Sequence, residues 1–148
     1  MKKIPIDFGN WLAGIIAGEG CFRVHMARHG EYYCCMFRLK LRDDDGDVLY
    51  EIRRRLGFGH VVPMNGWRGG NAFLAWDCES REACLKLVSV LDRFPLRAKK
   101  RRDYAVWRRA VLYWASGVRP RGGSWSKMIA YKKAIENARL YRKPRRRL

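Results

Sequence analysis

The sequence is short of negative charge. Its 148 residues carry 14 Asp plus Glu against 32 Lys plus Arg, a formal net charge of +18. An ordinary small-molecule enzyme is therefore not the default reading. A densely anionic partner is, and nucleic acid is the commonest of these. Disulfide scaffolding is missing as well. The five cysteines (Cys21, Cys34, Cys35, Cys78 and Cys84) are odd in number and form no C-x-x-C pair, which favours neither a disulfide framework nor a zinc site. Free thiols in a reducing, intracellular compartment, cytoplasm or organelle matrix, fit this usage. Long hydrophobic runs are absent too. The longest, Trp11 to Gly18, is far too short to cross a membrane. The opening Met-Lys-Lys-Ile-Pro does not resemble a cleavable signal, so no membrane partner is expected.

What is present can build a core. Hydrophobic residues make up 48% of the chain, with 6 Trp, 7 Tyr and 6 Phe, which excludes a disordered basic tail. A length near 150 fits one domain over residues 1–148. The charge is uneven. Residues 1–96 hold 14 basic and 12 acidic side chains, whereas residues 97–148 hold 18 basic and 2 acidic. The division suggests a core at about 7–116 and a basic, helical C-terminal extension at about 117–148. Trp125 and Tyr131 in that extension are candidates to pack on the core.

Periodicity predicts the elements. A short helix spans Asp7 to Gly18, capped by Asp7 or Asn10. It is apolar nearly all round and carries Gly14 and Gly18 on one face, where another helix could approach closely. Strands follow at Cys21–His29 and Tyr32–Arg42. In the second, Phe37, Leu39 and Leu41 point one way and Arg38, Lys40 and Arg42 the other, a cationic face suited to phosphates. Asp43 to Asp47 begin a helix that stops at Gly57-Phe58-Gly59. They do not form a calcium loop, because the terminal Glu is not at the required place. Strands at His60–Met64 and Ala72–Cys78 flank a Gly-rich hairpin. Helices follow at Ser80–Arg93, Lys99–Ser116 and Ser126–Arg142. The order is one αββ unit repeated, then a third helix.

One segment carries chemistry. Leu12-Ala13-Gly14-Ile15-Ile16-Ala17-Gly18-Glu19-Gly20-Cys21-Phe22 resembles the signature of the LAGLIDADG homing endonucleases. The Leu56-Gly57-Phe58-Gly59 step and Pro95-Leu96-Arg97-Ala98-Lys99-Lys100, followed by Asp103, Tyr104 and Trp107, resemble later family segments in the same order. The resemblance covers residues 8 to about 115. It implies an α+β, αββαββα homing-endonuclease fold, with a four-stranded antiparallel DNA-binding saddle and extra C-terminal helices. It implies a metal-dependent, site-specific endodeoxyribonuclease that hydrolyses both strands of double-stranded DNA and leaves short 3′ overhangs. The coding context would be a mobile element, an intron or an intein. The alternative on the same fold is a non-cleaving RNA-splicing maturase or DNA-binding regulator.

The resemblance also assigns residues. Phosphodiester hydrolysis needs a hard cation, here Mg²⁺, which prefers carboxylate and water oxygens. Glu19, with Gly18, is the implied metal site. The chain has one copy of the motif, and one carboxylate is a poor site, so two chains should pair as a homodimer through Trp11, Leu12, Gly14, Ile15 and Gly18. Ala17 stands where many family members carry an acid, which puts helix capping in question more than cleavage. Lys99 resembles the family's active-site lysine, with Lys100 open as its substitute or as a DNA contact. Asp43 falls where relatives place a polar group that organises water, with helix capping as its other reading. The implied DNA contacts are Arg23, His25, Arg38, Lys40 and Arg42 on the first two strands, and Met64, Phe73, Ala75 and Asp77 on the last two. Asp77 could accept from cytosine. Arg28 and Arg68 sit in turns, and Arg119, Arg121, Lys127, Lys132 and Lys133 are candidates for flanking phosphates.

Overall fold

The computed structural model describes residues 3–65, 72–117 and 125–140. The Gly-rich hairpin with Arg68, the linker with Arg119 and Arg121, and the terminal arginines lie outside the described residues. The chain runs α1 (Ile6–Glu19), β1 (Gly20–Ala27), β2 (Tyr32–Arg42), α2 (Gly46–Leu56), β3 (His60–Met64), β4 (Phe73–Cys78), α3 (Arg81–Arg93), α4 (Lys100–Ala115) and α5 (Ser126–Arg139). The four strands form one antiparallel sheet in the order β1-β2-β4-β3. The expected αββαββα order is therefore present, with α4 and α5 following α3.

All the helices serve one face of the sheet. Phe22, Val24, Cys35, Phe37, Leu39, Trp76 and Cys78 project from the strands into a buried core. Leu12 and Ile16 of α1, Leu49 and Ile52 of α2, Leu87 and Leu91 of α3, and Trp107 and Val111 of α4 meet them there. Phe22 lies 5.0 Å from both the Phe37 and the Trp107 ring centroids, so the first strand after α1 is pinned by aromatic packing. Trp125 and Tyr131 do pack on the core, against Tyr33 and Tyr113. The five cysteines are all free, and burial pushes the Cys84 thiol up to about 12, which leaves it inert.

Local signals account for most boundaries. Ser80 accepts from the Ala83 N–H at 3.1 Å and caps α3, while Ala83 cannot reciprocate. The expected cap of α1 is absent: the helix starts at Ile6, after Pro5, so Asp7 and Asn10 lie inside it and no side chain caps it. α2 likewise starts without a side-chain cap after Asp45. It ends at Gly57, whose φ of +75° closes the helix in the left-handed region. Gly59 follows at φ +73°, and a Cβ there would stand 2.3 Å from Trp76 Nε1. That indole donates to the Phe58 carbonyl at 3.1 Å. Gly59→Ala should therefore destabilise the fold by about 2–4 kcal/mol, read as a fall in the denaturant midpoint. An unchanged midpoint would show that the Trp76 contact is not required.

Candidate functional site

α1 is built to present its end. Phe8, Leu12, Ala13 and Ile16 are buried against the core, whereas Trp11 is 40% exposed and Gly14, Gly18 and Glu19 are exposed. A Cβ on Gly14 or Gly18 would meet nothing within 4 Å. The two glycines thus leave an open strip along the helix, and no other described element fills it. Leu12 corrects the expected interface: it is 0% exposed and faces its own core, because α1 is apolar on both sides and periodicity alone does not show which side turns inward. Ile15 is half-buried. After Glu19 the chain turns directly into β1. Gly20 permits this, since a Cβ there would lie 2.7 Å from the Ile16 carbonyl and 2.9 Å from the Phe37 ring.

Beside this turn lies a recess of about 500 Å³, lined by Gly18, Gly20, Lys99, Lys100, Asp103 and Arg139 among others. Lys100 Nζ donates to the Gly20 carbonyl at 2.7 Å. Lys99 Nζ donates to the Arg139 carbonyl at 3.1 Å. Both lysines are thus next to the helix end, and Ala98, at φ +56°, makes the left-handed step that delivers them. Arg139 reaches in from α5. It donates to the Phe22 carbonyl and, through Nε at 3.4 Å, to Asp103, which is 4% exposed. The second oxygen of Asp103 has no partner among the described residues. Sequence reasoning gave Arg139 no role and Asp103 only a place in a resembling segment. Asp103 is a lone acid inside a basic run, a signal that could have singled it out, whereas nothing local distinguishes Arg139 from its basic neighbours. Asp43 does not line the recess; it is exposed in a 3₁₀ turn after β2, its N–H bonded to the Ala72 carbonyl at 3.1 Å. It caps neither α2 nor the turn itself.

The face of the sheet away from the helices carries the other candidates. The register pairs Cys21 with Arg38, Arg23 with Met36 and His25 with Cys34. It also pairs Arg38 with Asp77, Lys40 with Ala75 and Arg42 with Phe73. On the far side His60 meets Asp77, Val62 meets Ala75 and Met64 meets Phe73. Direct cross-strand partners share a face. Arg23, His25, Arg38, Lys40, Arg42, Met64, Phe73, Ala75 and Asp77 are therefore on one surface. Lys40 stacks 4.6 Å over the Phe73 ring, and Arg42 reaches Asp44 at 3.2 Å. Arg28 lies in the 3₁₀ turn joining β1 to β2. Lys127 stacks 4.6 Å over Tyr113, and Lys132 pairs with Glu136 at 2.6 Å.

Two expectations on this face are corrected. Ala75 is 0% exposed; its methyl sits between the longer Lys40 and Val62 side chains and offers no contact surface. Asp77 is neither a free acceptor nor a surface charge. It is 1% exposed and bonded through both oxygens to Arg38, at 2.8 and 2.6 Å. Of the three cations on β2, Arg38 is thus tied to a buried carboxylate, whereas Lys40 and Arg42 are exposed.

His25 contributes a pH dependence. Burial and the neighbouring Arg23 charge hold its imidazole below the ordinary value of 6.5, against a smaller opposing pull from Glu79. The folded state therefore favours the neutral ring. Its contribution is fully present above pH 6.5 and is lost as pH falls through the depressed folded value. His25→Gln should flatten this limb of a stability–pH profile measured by denaturant melts. A profile identical to the parent would remove His25 as its source.

Comparisons with known proteins bear on the family and the fold. The family model described as LAGLIDADG endonuclease matches residues 12–111. A probable intron-encoded endonuclease, Cox1-I1b of Schizosaccharomyces pombe, is 29% identical over 109 residues, which are 72% of this chain and 27% of that protein. The chain spans about a quarter of the length of the curated relatives it matches. Among solved structures, the homing endonuclease I-TnaI superposes with a TM-score of 0.67 at 24% identity, covering 88% of this chain and 97% of its own. The LAGLIDADG homing endonuclease I-GzeII, solved with its DNA target, gives 0.72 at 20% identity, covering 89% and 45%. No described helix is long and apolar enough to cross a membrane. With the family match spanning α1 through most of α4, the chain belongs to the LAGLIDADG endonuclease family.

Proposed function

We propose that the chain is a site-specific double-strand DNA endonuclease that acts as a homodimer with Mg²⁺ and leaves short 3′ overhangs. The observation that carries this reading is the open Gly14–Gly18 strip on α1, ending in the exposed carboxylate of Glu19. A second α1 laid along that strip would bring two Glu19 carboxylates to one axis. The donor set fits a hard divalent cation. Glu19 offers carboxylate oxygen and Gly18 a backbone carbonyl at a helix end, and Mg²⁺ takes few protein ligands of this type. When bound, the ion would supply charge stabilisation at the phosphate and an activated water.

The chain's own residues do the rest. Lys99 and Lys100 place ammonium groups at the recess beside the helix end, where a developing phosphate charge would be stabilised. Asp43, just past the end of β2 that pairs with Gly20, would orient water at the edge of the site. Arg23, His25, Arg38, Lys40, Arg42, Met64 and Phe73 would meet base edges in the major groove. Arg28, Arg68, Arg119, Arg121, Lys127, Lys132 and Lys133 would meet phosphates.

The test is selection. A randomised duplex library incubated with the protein and Mg²⁺ should yield one long, nearly palindromic sequence cut with short 3′ overhangs. The protein on that DNA should have the mass of a dimer. DNA bound but cut nowhere would overturn the nuclease reading in favour of a maturase or regulator.

A further inference from the structure

The outer face of the sheet holds one ion pair that divides the donors of an arginine. Arg38 and Asp77 are direct partners on β2 and β4. Nε donates to one carboxylate oxygen at 2.8 Å and Nη2 to the other at 2.6 Å, the parallel two-bond pairing that guanidinium and carboxylate favour. Asp77 is buried, whereas the Arg38 side chain keeps 21% of its surface. A guanidinium carries five N–H donors in one plane. Asp77 occupies the edge formed by Nε and Nη2. The terminal edge, formed by Nη1 and the second Nη2 hydrogen, has no acceptor among the described residues. Those two parallel donors match the O6 and N7 acceptors of guanine in the major groove.

Energetics argue for the same division of labour. A buried ion pair is seldom more stable than a well-packed apolar pair in its place. A buried acid also subtracts charge from a surface otherwise suited to phosphate. His60, opposite Asp77 on β3, pairs with Glu79 at 3.4 Å, and both Asp77 oxygens are bonded to Arg38. What the pair does supply is a long side chain held in one orientation before any DNA arrives, which lowers the ordering cost of binding.

We propose that Arg38 is a specificity-determining residue that reads a guanine through its terminal edge, and that Asp77 is its positioning residue, with no base contact of its own. The proposal rests on the reading of this face as DNA-binding. It does not require cleavage, and it is tested by binding alone. Randomised duplexes are selected without divalent metal on the parent, on Arg38→Lys, on Asp77→Asn, and on Arg38→Gln combined with Asp77→Asn. The last removes both charges together, so no carboxylate is left buried alone, and melting temperatures report folding. The parent should select guanine at one position of the site. Arg38→Lys and the double variant should lose that preference about tenfold or more, with preferences elsewhere kept. Asp77→Asn should weaken the same preference while raising affinity for all sequences, an effect that mere loss of a repulsive charge would not direct to one base. Guanine preference retained in the first and last variants, or loss at a position that is not guanine, overturns the assignment. A parent that selects no sequence at all overturns the DNA-reading function as well.

Discussion

Glu19→Gln should abolish cleavage and leave the protein folded and bound to DNA. Glu19 is exposed at the end of α1 and makes no hydrogen bond among the described residues, so the isosteric amide disturbs no packing. Losing the charge removes the acid that would hold the metal, and with it several kcal/mol of transition-state stabilisation. That corresponds to a rate about a thousandfold lower. Binding in metal-free buffer should hold or tighten, because the change removes a negative charge from the site proposed to face DNA. Cleavage of the selected target, timed on a gel beside a mobility-shift assay, separates the two. Parental cleavage by the variant would remove Glu19 from the chemistry. The adjacent lysines are separable in the same assay. Lys100 anchors the Gly20 carbonyl, so Lys100→Ala should lower the melting temperature as well as the rate. Lys99→Ala, which releases only the end of α5, should lower the rate alone.

The second large effect has an unusual sign. Replacing Gly14 and Gly18 together by leucine should stabilise the isolated chain and inactivate it. Gly14 lies in the interior of α1 and Gly18 in its last turn; an interior glycine costs roughly 0.5–1 kcal/mol relative to a good helix former. Neither substitution meets an atom within 4 Å at the first carbon. The same side chains would hold a second helix away from the strip, because close approach of two backbones requires small residues there. Sedimentation should show a monomer at concentrations where the parent pairs, thermal melts should show a higher midpoint, and cleavage should vanish. A leucine variant that still pairs and cuts would place the interface elsewhere.

How much of this was readable in the sequence depends on the range of the interaction. The expected bounds of β2 and β3 match the structure residue for residue, and in β2 alternation from Phe37 to Arg42 separates its two faces. The ends of α2 and α3 follow from Gly57 and Ser80, which act within one turn. Glu19 was legible because its motif is contiguous. Leu12 was misplaced because a helix apolar on both sides has no polar stripe to orient it. Asp77 was misread because its partner is 39 residues away, and only the register of β2 against β4 shows that Arg38 neutralises it. Arg139 was invisible for the same reason, at a separation of 117 residues from the carbonyl it binds.

That long-range contact has a consequence for solubility. β1 is an outer strand of the sheet, and an unprotected outer strand is a template on which other chains add. The Gly20 and Phe22 carbonyls, two residues apart on β1, are already bonded to Lys100 and Arg139, and α5 packs alongside. The terminal helix thus works as an edge guard: cations that a foreign strand cannot displace cheaply occupy the ladder where it would pair. A chain cut before Ser126 would keep Glu19 and the outer face of the sheet, yet expose an aromatic-backed edge prone to β-aggregation.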